Sequence, residues 1–149
     1  MQKLNENIMH LSLRVVLMAT FVLLINPYAN AETTTAEPVP VTAEVGPDGV
    51  QHLSITLDSY SFSPAYIVVQ SGKPVELTLK NVATVAPHNL KIDAVADGLF
   101  VSQDVEPGQT ATVQFTPTKA GIYEFYCDKK LAFFPSHRKK GMVGKLEVR

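Results

Sequence analysis

Between Val50 and Arg149 apolar and polar residues alternate with a period of two. In "VQHLSITLD" Leu53, Ile55 and Leu57 alternate with His52, Ser54 and Thr56, the mark of a strand with one buried face. The runs "AYIVVQ", "VELTLKN", "HNLKID", "ATVQFT", "IYEFYC" and "MVGKLEV" follow. Turn residues separate them at Ser71-Gly72-Lys73-Pro74, Asp97-Gly98, Glu106-Pro107-Gly108 and Lys119-Ala120-Gly121. Many short strands at this spacing predict an all-β domain, an antiparallel sandwich or barrel. An irregular or partly helical stretch is expected only between Cys127 and His137.

The pattern stops before Val50. Residues 32–49, "ETTTAEPVPVTAEVGPDG", show no sustained apolar period and read as a flexible arm. Residues 1–31 differ again. Lys3 and Arg14 precede an apolar run from Val15 to Ile25, then Asn26-Pro27 and Ala29-Asn30-Ala31. A positive start, a short apolar stretch and a small-x-small triplet are the parts of a secretory signal, and the run is shorter than the roughly 20 residues of a membrane span. The expected organisation is a signal peptide over 1–31, an arm over 32–49 and one domain over 50–149. The 100 residues from Val50 to Arg149 suffice for one domain and not for two. The expected location is the periplasm, with no stable membrane span once the signal is cleaved.

Without Lys3, Arg14 and Glu6 the chain keeps 11 basic and 13 acidic residues. That balance gives no reason to expect nucleic acid as a partner, which calls for a basic domain. The charges are unevenly spread: Lys129, Lys130, Arg138, Lys139 and Lys140 crowd into "YCDKKLAFFPSHRKKGM".

Export makes the single cysteine informative. Cys127 has no partner for an intramolecular disulfide, and a lone thiol in an oxidising compartment is intermolecular, reactive or metal-bound. Tyr123, Phe125 and Cys127 share one strand face, so the thiol continues an inward row, as a simple core cysteine also would. Three further residues argue for metal: His88 at the start of a strand, His137 on the connection after Cys127, and Met142 at the start of the last strand. In a sandwich, strand ends gather at a pole, so the four can meet. Thiolate and thioether are soft donors, and two histidines, a cysteine and a weak methionine are the donor set of type 1 copper. Zinc more often recruits four strong ligands. His52 alternates with Leu53, faces solvent and is given no metal role.

The chain resembles the cupredoxins, the family of plastocyanin and azurin. The likeness rests on "FSP" followed by "AYIVVQSGKPVELTLKN", on His88-Asn89, on "VEPGQTATVQFTPTKAGIYEFYC", and on a histidine followed by four residues, a methionine and "VGKLEV". It implies a Greek-key β-sandwich of about eight strands, one bound copper ion and one-electron transfer. By position, His88, Cys127 and His137 correspond to the equatorial ligands and Met142 to the axial one. Asn89 corresponds to the residue that ties the ligand loops together. One departure stands out: nine residues separate Cys127 from His137, where the family usually has two to four.

The expected function is that of a periplasmic one-electron carrier, its copper cycling between Cu(I) and Cu(II). The alternative is copper sequestration, delivery or resistance, although the arm carries no Met or His cluster. No enzyme is expected, because a copper oxidase or nitrite reductase requires further domains and a second copper site. The partners expected are redox proteins, acidic where they dock. Leu131, Phe133 and Phe134 form either a lid over the site or a docking face beside His137. Oligomeric state is left open.

Overall fold

The computed structural model describes residues 37–149. The expected signal peptide and the first residues of the arm lie outside the described residues. The described residues form eleven strands: β1 (Val41–Thr42), β2 (Glu44–Val45), β3 (Gln51–Asp58), β4 (Ser61–Ser63), β5 (Tyr66–Val69), β6 (Val75–Asn81), β7 (His88–Ala94), β8 (Leu99–Val105), β9 (Thr110–Phe115), β10 (Gly121–Tyr126) and β11 (Val143–Val148). Among the described residues the only helical pieces are 3₁₀ turns at Val95–Asp97 and Arg138–Lys140.

The strands form two sheets. One has the order β1-β5-β11-β10-β7-β8; the other has β2-β3-β6-β9, with β4 added beside β3. The all-β sandwich expected from the alternation is present. Its pairing is mixed rather than purely antiparallel, because β1 with β5, β5 with β11, and β3 with β6 run parallel. Parallel neighbours need a crossover, and β4 and β5 supply it between β3 and β6.

One expectation needs correction. The arm predicted over 32–49 is not loose in its second half: Val41 and Thr42 pair with Ile67 and Val68, and Glu44 and Val45 pair with His52 and Gln51. Ala43 between them is buried. Two-residue pairings are too short to leave a period, so composition gave the wrong reading there. The run "LFVSQDV", not among the runs expected as strands, forms β8 with Leu99, Val101 and Val105 turned inward.

The core lies between the sheets. Ile55, Leu57, Leu77 and Leu79 of one sheet meet Ile67, Leu90, Ile92, Phe125 and Leu146 of the other. Each large aliphatic or aromatic side chain buried this way contributes about 1.5–3 kcal/mol. The Phe125 ring lies over Gly144, its cross-strand partner, and a Cβ there would overlap the ring. That close approach explains a glycine in the interior of a strand. Tyr123, Phe125 and Cys127 are all buried, so the inward row continues to the end of β10 and delivers the thiol to one pole.

Candidate metal centre

Three chain segments bring donors to that pole. His88 opens β7 and is buried. The loop before it is pinned by Asn81, whose Nδ2 donates to the carbonyls of Ala86 (2.9 Å) and Val105 (3.0 Å) and whose Oδ1 accepts from the Ala83 amide (2.9 Å). Cys127 follows β10, and its amide donates to the Met142 carbonyl at 3.1 Å.

The long connection is held by main-chain hydrogen bonds. The His137 amide donates to the Lys129 carbonyl (2.8 Å), Arg138 to Cys127 (2.7 Å) and Met142 to His137 (2.9 Å). Gly141, at φ 96°, takes the left-handed conformation that ends the 3₁₀ turn. The extra residues therefore bulge outward and leave the two ends close together.

The donor atoms converge. His88 Nδ1 and His137 Nδ1 are 3.0 Å apart, and Cys127 Sγ lies 3.4 Å from His137 Nδ1 and 3.8 Å from His88 Nδ1. Imidazole nitrogen and thiolate bonds of about 2.0–2.3 Å to one ion would separate its donors by roughly 3.3–3.8 Å. The three buried groups are within a few tenths of an ångström of that arrangement, so the residues present fit a single soft-ligand metal ion. Met142 is fully buried immediately before β11 and is linked through its main chain to both Cys127 and His137.

The electrostatics favour neutral nitrogens there. Burial, with His137 adding to it, pushes His88 down from 6.5 to about 4. His137 is also lowered, first by burial and then by Lys140. Burial raises the Cys127 thiol, against which the Asn89 and Lys129 amides act. The Asn89 amide donates to Sγ at 3.4 Å. The Asn89 side chain clamps Asp128, donating from Nδ2 at 2.7 Å and accepting from the Asp128 amide at 3.0 Å. Lys91 completes this clamp by donating to Asp128 at 2.8 Å, and it leads the lowering of the Asp128 carboxyl.

Other candidates separate clearly. His52 stands on a sheet face between Asp48 (3.2 Å) and Glu76 (3.3 Å), far less buried than the pair at the pole. Leu131, Phe133 and Phe134 do not cover the site: they are 73%, 91% and 51% exposed, with the two rings stacked at 5.1 Å. His137, only 7% exposed, is instead covered by Tyr60. Neither Tyr60 nor Asn81 was singled out in the sequence. Asn81 falling in register with Val75, Leu77 and Leu79 on the apolar face of its run was a usable signal; the left-handed backbone of Tyr60 leaves none.

Two stacked sheets with buried imidazoles and a thiol converging at one pole define a copper-binding β-sandwich. The chain belongs to the cupredoxin-like domain family, which matches residues 15–143. It is 31% identical over 136 residues to a copper-containing nitrite reductase of Neorhizobium galegae, covering 82% of this chain and 35% of that protein. A second copper-containing nitrite reductase, from Alcaligenes xylosoxydans xylosoxydans, is 33% identical over 104 residues, 68% of this chain and 31% of that one. The chain thus spans about a third of the length of these relatives.

Solved structures share the fold. The metal-binding domain of the Cu(I)-exporting P-type ATPase CopA of Streptococcus pneumoniae D39 gives a TM-score of 0.58 at 22% identity, covering 76% of this chain and 99% of that one. Auracyanin of Roseiflexus castenholzii gives 0.57 at 21% identity, covering 72% and 98%.

These relatives correct one expectation. Enzymes were excluded because one domain is too small to house a reductase, yet the sequences this chain matches are named as enzymes. The match occupies only about a third of each, so the size of one domain is no ground for that exclusion.

Proposed function

We propose that the chain is exported to the periplasm and transfers single electrons through one copper ion held by His88, Cys127, His137 and Met142. The observation that carries this reading is the convergence of two imidazoles and one thiol in a buried pocket, with no carboxylate in the donor group among the described residues. Soft and borderline donors of this kind suit copper in both its common oxidation states.

Bound copper supplies the one-electron couple between Cu(I) and Cu(II). The protein supplies the rest. Cys127 provides the strong soft donor, and the Asn89 amide steadies its sulfur. His88 and His137 are kept neutral by burial, and Met142, buried and bonded through its main chain to Cys127 and His137, would supply a weak thioether donor. Main-chain bonds between Cys127, His137 and Met142 fix the donors in place, so little needs to move as charge changes.

The electron path runs outward past His137. Beside it lies a cavity of about 240 Å³ lined in part by Pro87, Leu131 and His137. The exposed Leu131, Phe133 and Phe134 give this end an apolar centre. Lys129 and Arg138 are tied to Asp104 (2.8 Å) and Glu124 (2.5 Å), whereas Lys130 and Lys139 have no carboxylate partner among the described residues. An acidic redox partner suits this rim, since charge steers approach and brief encounters need only small interfaces. The chemistry is the same whether the domain acts freely or feeds electrons within a larger assembly.

Protein-film voltammetry tests the proposal: a rapid, reversible one-electron couple is expected. Irreversible loss of copper on reduction would favour copper handling instead. Association with an acidic redox protein should slow as salt rises, and a rate indifferent to salt would remove the steering argument.

A further inference from the structure

Tyr60 sits in the two-residue turn of the β3–β4 hairpin, between the paired residues Asp58 and Ser61. Its φ is 59°, a left-handed conformation uncommon for a bulky side chain and ordinarily given to Asn or Gly in such turns. A residue held there against its preference is held by its surroundings. The ring meets the His137 imidazole edge-on, with centroids 4.9 Å apart and planes at 74°. Lys140 Nζ donates to the Tyr60 hydroxyl at 2.9 Å and lies 4.1 Å from the ring centroid. The Lys140 amide in turn donates to the His137 carbonyl at 3.0 Å. A turn belonging to one sheet thus grips the ligand loop of the other at two points. Tyr60 also lines the cavity that opens beside His137.

We infer that Tyr60 is a positioning residue that closes the solvent edge of His137 and holds Lys140 next to it, favouring the less charged Cu(I) state. The inference rests on the copper reading above. Water stabilises the higher charge of Cu(II) more than that of Cu(I), so a ring that keeps water from His137 raises the potential. The Lys140 ammonium acts in the same direction, since a nearby positive charge disfavours the more positive state. Removing the ring admits water to His137 and releases Lys140 Nζ from its fixed place, so both effects weaken. The backbone at position 60 would meanwhile be better served by glycine, so the fold has no reason of its own to keep a tyrosine there.

The test compares Tyr60→Gly and Tyr60→Phe with the wild type, with Tyr60→Asn replacing the glycine variant if its thermal midpoint shows that it does not fold. In the metal-free protein, the rate of His137 carbethoxylation should rise at least tenfold in Tyr60→Gly and less than twofold in Tyr60→Phe. In the copper-loaded protein, the Cu(I)/Cu(II) ratio at fixed potential should fall about tenfold in Tyr60→Gly, a shift of about 59 mV for a one-electron couple. Tyr60→Phe, which keeps the ring and loses only the hydroxyl, should shift less than half as far. An unchanged modification rate and potential in Tyr60→Gly, with a wild type that binds copper, would overturn the role of Tyr60 alone. A wild type that takes up no copper would overturn the copper reading and the claim on the potential with it. The metal-free rates would then still decide whether Tyr60 closes His137.

Discussion

The two poles of the sandwich treat buried polar groups in opposite ways. At one pole Gln51 is buried and satisfied: its Nε2 donates to the carbonyls of Gln70 (3.0 Å) and Lys73 (3.4 Å), and its Oε1 accepts from the Gln70 amide (2.6 Å). At the other, the donors of His88, Cys127 and His137 point at one another, and His88 Nε2 is buried with no hydrogen-bond partner. A native fold leaves few such groups, and each one asks for an explanation. Gln51 serves the fold. The opposite cluster is explained by what it can bind through His88 Nδ1, His137 Nδ1 and Cys127 Sγ, and holding His88 in that orientation leaves its Nε2 buried and unpaired at a cost to the fold.

The largest effect expected from this difference is on the pH dependence of the metal-free protein. His88 is held at about 4, against 6.5 for an ordinary histidine. Below pH 6.5 the unfolded chain takes up a proton that the folded pocket refuses, so stability is full above that pH and declines as pH falls towards 4. The loss is on the order of 3 kcal/mol at most. Denaturant titrations at pH 7 and pH 4.5 measure it; bound copper should flatten the decline down to the pH at which it dissociates, because protons compete for the same nitrogens. Equal stability at both pH values without metal would mean that the pocket is not the dry site described.

Smaller effects should distinguish the poles by substitution. Gln51→Ala leaves three main-chain groups without their partner and should cost about 1–3 kcal/mol in chemical unfolding, with copper stoichiometry unchanged. Asn81→Ala should cost a similar amount, but it also frees the loop that leads to His88. Transfer of copper to a chelator should then be about tenfold faster, an effect absent from the Gln51 variant. If both variants lost copper equally fast, the poles would not be separable.

The smallest effect belongs to the bulged connection. Phe133→Ala should change stability by no more than about 0.5 kcal/mol, as for most surface substitutions. If the exposed rings are part of a docking face, association with a redox partner should slow. A large loss of stability would show that the ring covers the core after all.

Much of this arrangement was legible in the chain. Alternation gave seven of the strands and the inward direction of Cys127, because a period of two fixes which face a side chain takes. The donor set named copper because softness is a property of the residues themselves. What stayed hidden depended on tertiary partners. The strand pairs at Val41–Thr42 and Glu44–Val45 are too short to show a period, and parallel pairing leaves no local mark. Tyr60 lies in a turn whose left-handed backbone contradicts its residue type. The path of the Cys127–His137 connection is set by main-chain hydrogen bonds, which no side-chain pattern records.

The central claim is that Cys127, His88 and His137 together hold copper. Its most direct test is a Cu(II) titration of the wild type and of Cys127→Ser followed by visible absorption. One equivalent should give the wild type an intense thiolate-to-copper band towards the red, absent from the serine variant. A colourless wild type, or a band that survives in Cys127→Ser, would contradict the account.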